Sequence, residues 1–403
     1  MRSEEECSPA AVDFFAATPC SALGRQIEEL RRQGLLRRRR VLQSPQGAHV
    51  VVDGRAVVAF CSNDYLGLAA DPRLAAAARE GAERYGVGAG ASHLILGHAT
   101  AHHALEAALA RFVNLPRALL FSTGYMANLG IVTALAGRGD TVFADRLNHA
   151  SLNDAALLSR AEFKRYPHGE MGALEKMLAA SKARRRLVVT DAVFSMDGDI
   201  APVRDLLQLC EHYDAWLVLD DAHGFGVLGA AGGGVLQHFG VASGRIVYMA
   251  TLGKAAGVFG AFVAGDSDLI EILVQRARPY IYTTAMPPLL ANALLASLEI
   301  IAAEHWRRER LALLIRQLKE VLAGSPWRLL ASDTAIQPLV IGANDEALRV
   351  SAALAARGVL VPAIRPPTVP RGSARLRISL SAAHSEEDVA QFVTALNEIG
   401  RTS

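Results

Sequence analysis

Lys254 stands alone in the stretch MATLGKAAGVFGA, just past a hydrophobic run and flanked by Thr251 and Gly253. A lysine that combines with a carbonyl must be partly desolvated so that its neutral amine is accessible, and an apolar, glycine-rich surrounding provides that. Residue type alone leaves a solvent-facing loop lysine equally open. In LVLDDAHGFG, Asp220 ends another apolar run and His223 follows three residues later. A carboxylate in an apolar site is costly unless a positive charge faces it, and a protonated pyridine nitrogen would be such a partner. The alternatives are a structural salt bridge and a metal-binding acid pair. A metal pair would call for more His or carboxylate ligands at close spacing than this stretch holds.

Three further stretches sit at similar places. FSMDGD carries Ser195 and Asp197. FSTGYMAN (Phe121 to Asn128) joins an apolar run to a helical pattern, where Gly124 and Tyr125 could offer backbone amides to a phosphate favoured by the helix dipole. His149, in DRLNHAS, is placed either to stack on a flat ring or to cap a helix. His93, His98, His102 and His103 form a local cluster, and the spacing of His98 and His102 puts two imidazoles on one helical face. Glu106 is the one carboxylate beside them, so packing or channel lining is favoured over metal binding, and no metal site is assigned. The glycines of GVGAGAS (Gly86 to Ser92) do not make a dinucleotide fingerprint, because a helical pattern precedes them and the third glycine is misplaced.

These residues need elements to position them. Short runs rich in Val, Leu and Phe alternate with longer helical patterns, which predicts an α/β fold with a mostly parallel sheet covered by helices. Strands are expected near Ala118 to Ser122, Thr141 to Ala144, Leu187 to Thr190, Trp216 to Leu219, Ile246 to Ala250 and Gly260 to Val263, with helices such as Ala101 to Phe112 and Val203 to Tyr213 between them. Thr123, Asp145, Asp191, Asp220 and Thr251 each follow a strand at once, and open α/β sheets bind ligands at the carboxyl ends of their strands. A long helical stretch from about Pro288 to Leu322 leads into a smaller α+β region with strands around Ile336 to Ile341 and Leu376 to Leu380. Val235 to Gly244 reads as a slightly long loop. The expected division is an N-terminal segment and arm (1–57), a large α/β domain (58–287) and a C-terminal α+β domain (288–403).

At 403 residues, with 51% hydrophobic, 20% charged and a formal net charge of +2, the chain has the balance of an ordinary globular protein, and no nucleic-acid partner is expected. The basic run Arg37 to Arg40, with Arg31 and Arg32 before it, taken alone reads as a solvated helix face more readily than as an anion-binding arm. Cys7, Cys20, Cys61 and Cys210 show neither metal spacing nor disulfide density, which suits a reducing compartment. Glu4, Glu5 and Glu6 occupy the place where a signal peptide carries positive charge, and the apolar run Phe14 to Ala17 is short, so a cytoplasmic location is expected. Tyr280 to Leu298 is long enough to span a bilayer but holds Pro287, Pro288 and Asn292, so it reads as a loop entering a buried helix. No membrane span is expected.

Taken in order, SNDYLG, FSTGY, DRLNHAS, FSMDGD, DDAHG and TLGKAAG resemble the α-oxoamine synthases, fold-type I pyridoxal-phosphate enzymes, over nearly the whole chain. The resemblance implies that Lys254 carries the cofactor covalently, that Asp220 pairs with the pyridinium nitrogen and that His149 stacks on the ring. Ser195 and His223 would hydrogen-bond the phenolic oxygen; Gly124 and Tyr125 would hold the phosphate through main-chain amides, with Thr251 adding a hydroxyl. A hydroxyl from a neighbouring subunit, Thr283 or Thr284, would reach the same phosphate, which implies a homodimer with shared active sites. Arg365 would bind the amino-acid carboxylate, Asn63 would line the substrate site and Arg37 would meet a distal carboxylate.

IRPPTVPRGSARLR, with AIQPLV and IYTTAMPP, is most similar to the family members that condense L-alanine with a pimeloyl thioester, borne on coenzyme A or on acyl carrier protein. In those members Lys254 would be the base that takes the α-proton, with His149 assisting. Related synthases often have a serine before the glycine of LILGH; here that residue is Leu96, a change expected to narrow or reshape the acyl entrance. The rival readings are a synthase using glycine with acetyl- or succinyl-CoA, one using serine with a long-chain acyl-CoA, an aminotransferase on the same fold, and an inactive regulatory subunit.

Overall fold

The computed structural model describes residues 22–37 and 39–401. The acidic N-terminal triplet, Phe14 to Ala17, Cys7, Cys20 and Arg38 lie outside the described residues. Residues up to Leu42 form a unit separate from the rest. Within it, α1 (Ala22–Arg32) carries Arg31 and Arg32 in its last turn, each paired with a glutamate three residues earlier, Glu28 and Glu29. Arg37, Arg39 and Arg40 follow, exposed.

The second unit begins with the antiparallel hairpin β1 (His49–Val52) and β2 (Arg55–Ala59), then α2 (Pro72–Tyr85), a π-helical turn at His93–Gly97 and α3 (Thr100–Phe112). Strands and helices then alternate: β3 (Arg117–Phe121), α4 (Gly124–Leu135), β4 (Thr141–Asp145), α5 (Ala150–Ser159), β5 (Glu162–Tyr166), α6 (Met171–Ala179), β6 (Arg186–Asp191), α7 (Val203–His212), β7 (Ala215–Asp220), α8 (Gly234–Phe239), β8 (Ile246–Thr251) and β9 (Ala261–Gly265). They build a seven-stranded sheet in the order β3-β9-β8-β7-β6-β4-β5, parallel except for β9, which runs against both neighbours. Every residue of β4 and β9 is buried, as expected of strands covered by helices on both faces. Successive side chains part to opposite faces. Leu217 and Leu219 join the core that holds Phe143, Tyr248 and Phe262, while Val218 joins the one with Val189, Val247 and Met249.

Beyond the sheet come α9 (Ser267–Arg276), α10 (Arg278–Ile281), α11 (Pro288–Ala303) and α12 (His305–Leu322). The long helical stretch expected from about Pro288 to Leu322 is made of these last two helices, which meet at a 67° bend at Glu304. Ala291, Leu294, Leu298 and Ile301 give α11 a buried stripe at helical spacing, and it packs on α2 and α3. Among the described residues no single helix is long and apolar enough to cross a membrane.

The remaining elements are β10 (Arg328–Leu329), β11 (Ile336–Gly342), α13 (Asn344–Ala356), β12 (Val359–Leu360), β13 (Ala363–Ile364), β14 (Ala374–Ser379) and α14 (Glu386–Arg401). Four of these strands form the sheet β10-β11-β14-β13, whereas β12 pairs with β2 and so ties the N-terminal hairpin to this layer. Two local expectations are corrected. Val235 to Gly244 is not simply a loop, because Val235, Leu236 and Gly234 bury as the short helix α8. β5 was absent from the expected strands: EFKRY is an edge strand that buries only Tyr166, so its charged residues hide the pattern.

Candidate active site

Parallel pairing brings the carboxyl ends of β6, β7 and β8 together, with Asp191 opposite Asp220 and Asp220 opposite Met249. One cavity there is lined by Gly124, Tyr125, His149, Ser195, Asp220, His223, Thr251 and Lys254, which the motifs had singled out, and also by Ser151, Asp191, Ala222 and Met249.

α4 starts at the mouth of this cavity. Thr123 caps it, its hydroxyl accepting from the Met126 amide at 3.2 Å, and the Gly124 and Tyr125 amides have no acceptor within the helix. Position 124 has no room for a side chain, because a Cβ would lie 2.6 Å from Thr251 Cγ2. The Tyr125 hydroxyl donates to Asp154. His149 caps α5, accepting from the Ser151 amide at 3.3 Å, while its own amide donates to Asp191 Oδ2 at 2.8 Å. Capping and ring stacking therefore do not compete: the cap aims the imidazole at the cavity.

Asp220 is held by Asn128 Nδ2, which donates to its Oδ2 at 2.7 Å, and by the Ala222 amide, which donates to its Oδ1 at 3.1 Å. Among the described residues no ion pair involves this buried carboxylate. Burial, and then the neighbouring Asp220 charge, push the Asp191 carboxyl well above its usual range.

Lys254 Nζ lies 3.0 Å from His223 Nε2, and His223 Nδ1 lies 2.6 Å from Tyr65 Oη. The Tyr65 hydroxyl donates to Asn63 Oδ1 at 3.1 Å. With that proton committed, His223 Nδ1–H donates to Tyr65 and Nε2 accepts from Lys254. Burial lowers the Lys254 amine to about 8, and burial followed by the Lys254 and Arg377 charges lowers His223 well below its usual value. Arg377 on β14 donates to the Ser195 carbonyl at 2.5 Å and reaches Asn63 Oδ1 at 3.4 Å, while Arg375 donates to Asp197 Oδ1 at 2.7 Å.

Not every expected residue lines the cavity. Asn63 lies two hydrogen bonds behind it, through Tyr65 and then His223. Arg365 follows β13, and Thr283 and Thr284 lie between α10 and α11, none of them lining the cavity. Arg37 belongs to the separate N-terminal unit. Leu96, in the π-helical turn, is 87% exposed. The residues missed were Asn128, Tyr65 and Arg377, whose partners are distant in sequence, and Ser151 and Asp191; Tyr65, Asn128, Ser151 and Arg377 lie within SNDYLG, FSTGYMAN, DRLNHAS and IRPPTVPRGSARLR without being singled out, and Asp191 carried its place after a strand.

The set suits pyridoxal phosphate: a bare helix N-terminus for an anion, a buried carboxylate lacking an ion pair for a ring cation, and a lysine with a depressed pKa. A model of the family described as aminotransferase class I and II matches residues 55–396. The 8-amino-7-oxononanoate synthase of Nitrosospira multiformis is 65% identical over 377 residues, covering 93% of this chain and 95% of that protein. That of Nitrosomonas europaea is 63% identical over 386 residues, covering 94% and 99%. Among solved structures, a serine palmitoyltransferase from S. paucimobilis with PLP bound matches at a TM-score of 0.89 and 31% identity, over 94% of this chain and 97% of that one. The chain therefore belongs to the aminotransferase class I and II family, as a fold-type I pyridoxal-phosphate-dependent transferase of the 8-amino-7-oxononanoate synthase group.

Proposed function

We propose that this protein condenses L-alanine with a pimeloyl thioester, borne on coenzyme A or acyl carrier protein, to give 8-amino-7-oxononanoate, carbon dioxide and the free thiol carrier, a step of biotin biosynthesis. The observation that carries the reading is the near-full-length identity to proteins of that name. Bound pyridoxal phosphate supplies an electron sink for the negative charge that develops at the alanine Cα.

The chain's own residues do the rest. The Gly124 and Tyr125 amides and the Thr251 hydroxyl hold the phosphate, joined by Thr283 or Thr284 of a second subunit in a homodimer. Asp220 faces the ring nitrogen and keeps it protonated, with Asn128 fixing the carboxylate. His149 packs against the ring, and Ser195 and His223 hydrogen-bond its oxygen. Lys254, lowered to about 8 by burial, has a larger neutral fraction near neutral pH than an ordinary lysine, and that neutral amine takes the α-proton. Arg365 binds the alanine carboxylate, Asn63 lines the substrate site, and Arg37 meets the distal carboxylate of the pimeloyl chain. Leu96 shapes the acyl entrance.

We also infer a working division into an arm (1–57), a cofactor domain (58–287) and a C-terminal domain (288–403); the seven-stranded sheet falls within the second range and the four-stranded sheet within the third. A cytoplasmic location fits Cys210, a buried free thiol. The test is thiol release from pimeloyl-CoA by the cofactor-loaded protein, comparing L-alanine, glycine and L-serine. Release with L-alanine alone, with the amino-ketone product, is expected. Release only when glycine is given with acetyl- or succinyl-CoA would move the assignment to another synthase of the family.

A further inference from the structure

A concavity of about 520 Å³ beside α3 is distinct from the cofactor cavity; His93, His98, Glu106 and Tyr280 are among its lining residues. One ligand nitrogen from each of His93, His98 and His102 lies within 4.8 Å of the others. His93 Nδ1 and His98 Nδ1 are 3.0 Å apart. A tetrahedral zinc site with bonds of about 2.0–2.1 Å needs nitrogens roughly 3.3 Å apart, so modest side-chain movement would close the shell.

The surroundings are those of a ligand set whose outer atoms are engaged. His102 Nε2–H donates to the Met286 carbonyl at 2.8 Å. His98 Nε2 faces Glu106 Oε2 at 3.9 Å, and Glu106 is itself fixed by the Leu120 amide at 2.9 Å. His93 is stacked on Tyr280, ring centroids 5.0 Å apart at 9°. The backbone turn that brings His93 to the α3 histidines closes at Gly97, where a Cβ would lie 2.1 Å from the Ala91 carbonyl oxygen. The sequence spacing showed only the His98 and His102 pair; the π-helical turn adds the third imidazole.

We propose that His93, His98 and His102 form a site for a divalent transition cation of the zinc class, with Glu106 orienting His98. The cation takes the place of the proton shared between the two Nδ1 atoms, and water completes its coordination. His102 contributes least, because its Nδ1 already accepts from the Ala99 amide at 3.0 Å and must give up that bond. The site is structural: it staples the turn to the start of α3 and to the segment at Met286.

The test uses cofactor-loaded protein and zinc alone. One zinc per chain should survive dialysis, with an anomalous difference peak at the zinc edge between the three imidazoles. Retention should be lost in His98→Ala and zinc affinity weakened about 10–100-fold in Glu106→Gln, each variant being checked for a native circular dichroism spectrum. No retained zinc, retention unchanged in His98→Ala, or a peak elsewhere would overturn the site. Should the variants not fold, the position of zinc in crystals of the unaltered protein decides alone.

Discussion

Burial of Lys254 makes a pH prediction at the scale of one residue. Its amine is lowered to about 8, so the neutral form that accepts a proton grows as pH rises through that value and saturates above it. Exchange of the L-alanine α-proton with solvent, followed by NMR without an acyl donor, should climb through about pH 8 and then level off. A flat profile there would remove Lys254 from the role of base. Lys254→Ala should lower this exchange by at least about 10²–10⁴-fold while leaving the circular dichroism spectrum native. Gly124 gives a second residue-scale prediction, since a Cβ 2.6 Å from Thr251 Cγ2 must displace either the start of α4 or the Thr251 side chain. Gly124→Ala should weaken cofactor binding in a titration of the apoprotein, and unchanged affinity would take the α4 N-terminus out of the phosphate site.

At the scale of elements, the loop that carries Ser195 is clamped from one side by His168. Its Nδ1 donates to Asp145 at the end of β4 and its Nε2 to Asp199 past the loop, both at 3.0 Å, and its ring meets Phe194 edge-on. The two carboxylates raise the imidazole from 6.5 to about 10. Because the folded value lies above the unfolded one, the stabilisation is fully present below about pH 6.5 and is lost as pH rises through about 10. His168→Gln should therefore destabilise the protein on the order of 1–3 kcal/mol at the acidic end of this window, where the clamp carries its charge. The difference should close toward the alkaline end, as measured by denaturant unfolding; a gap constant with pH would mean that shape alone, not charge, holds the loop.

Over the whole molecule, the central strands were legible because their apolar runs are continuous and each ends in a polar residue, as at Asp191, Asp220 and Thr251. The edge strand β5 and the bend at Glu304 were not, the first for its exposed charges and the second because no proline or glycine marks it. The cavity-lining motif residues were legible one motif at a time. Their supports were hidden, because Tyr65 meets His223 158 positions away and Arg377 meets Asn63 314 positions away, pairings that only the packing of separate sheets creates. Those pairings carry the last prediction. β14 belongs to the four-stranded sheet, yet its Arg377 fork holds both the Ser195 carbonyl and Asn63, so one side chain ties together a proposed cofactor residue and a proposed substrate residue. Lysine keeps the charge but not the planar fork. Arg377→Lys should therefore raise the KM for L-alanine and weaken cofactor binding together, whereas Arg375→Lys, whose partner is Asp197, should leave the alanine KM nearly unchanged. Steady-state kinetics with cofactor titration separate the two, and equal effects in both variants would mean that β14 acts only as a general support for the loop.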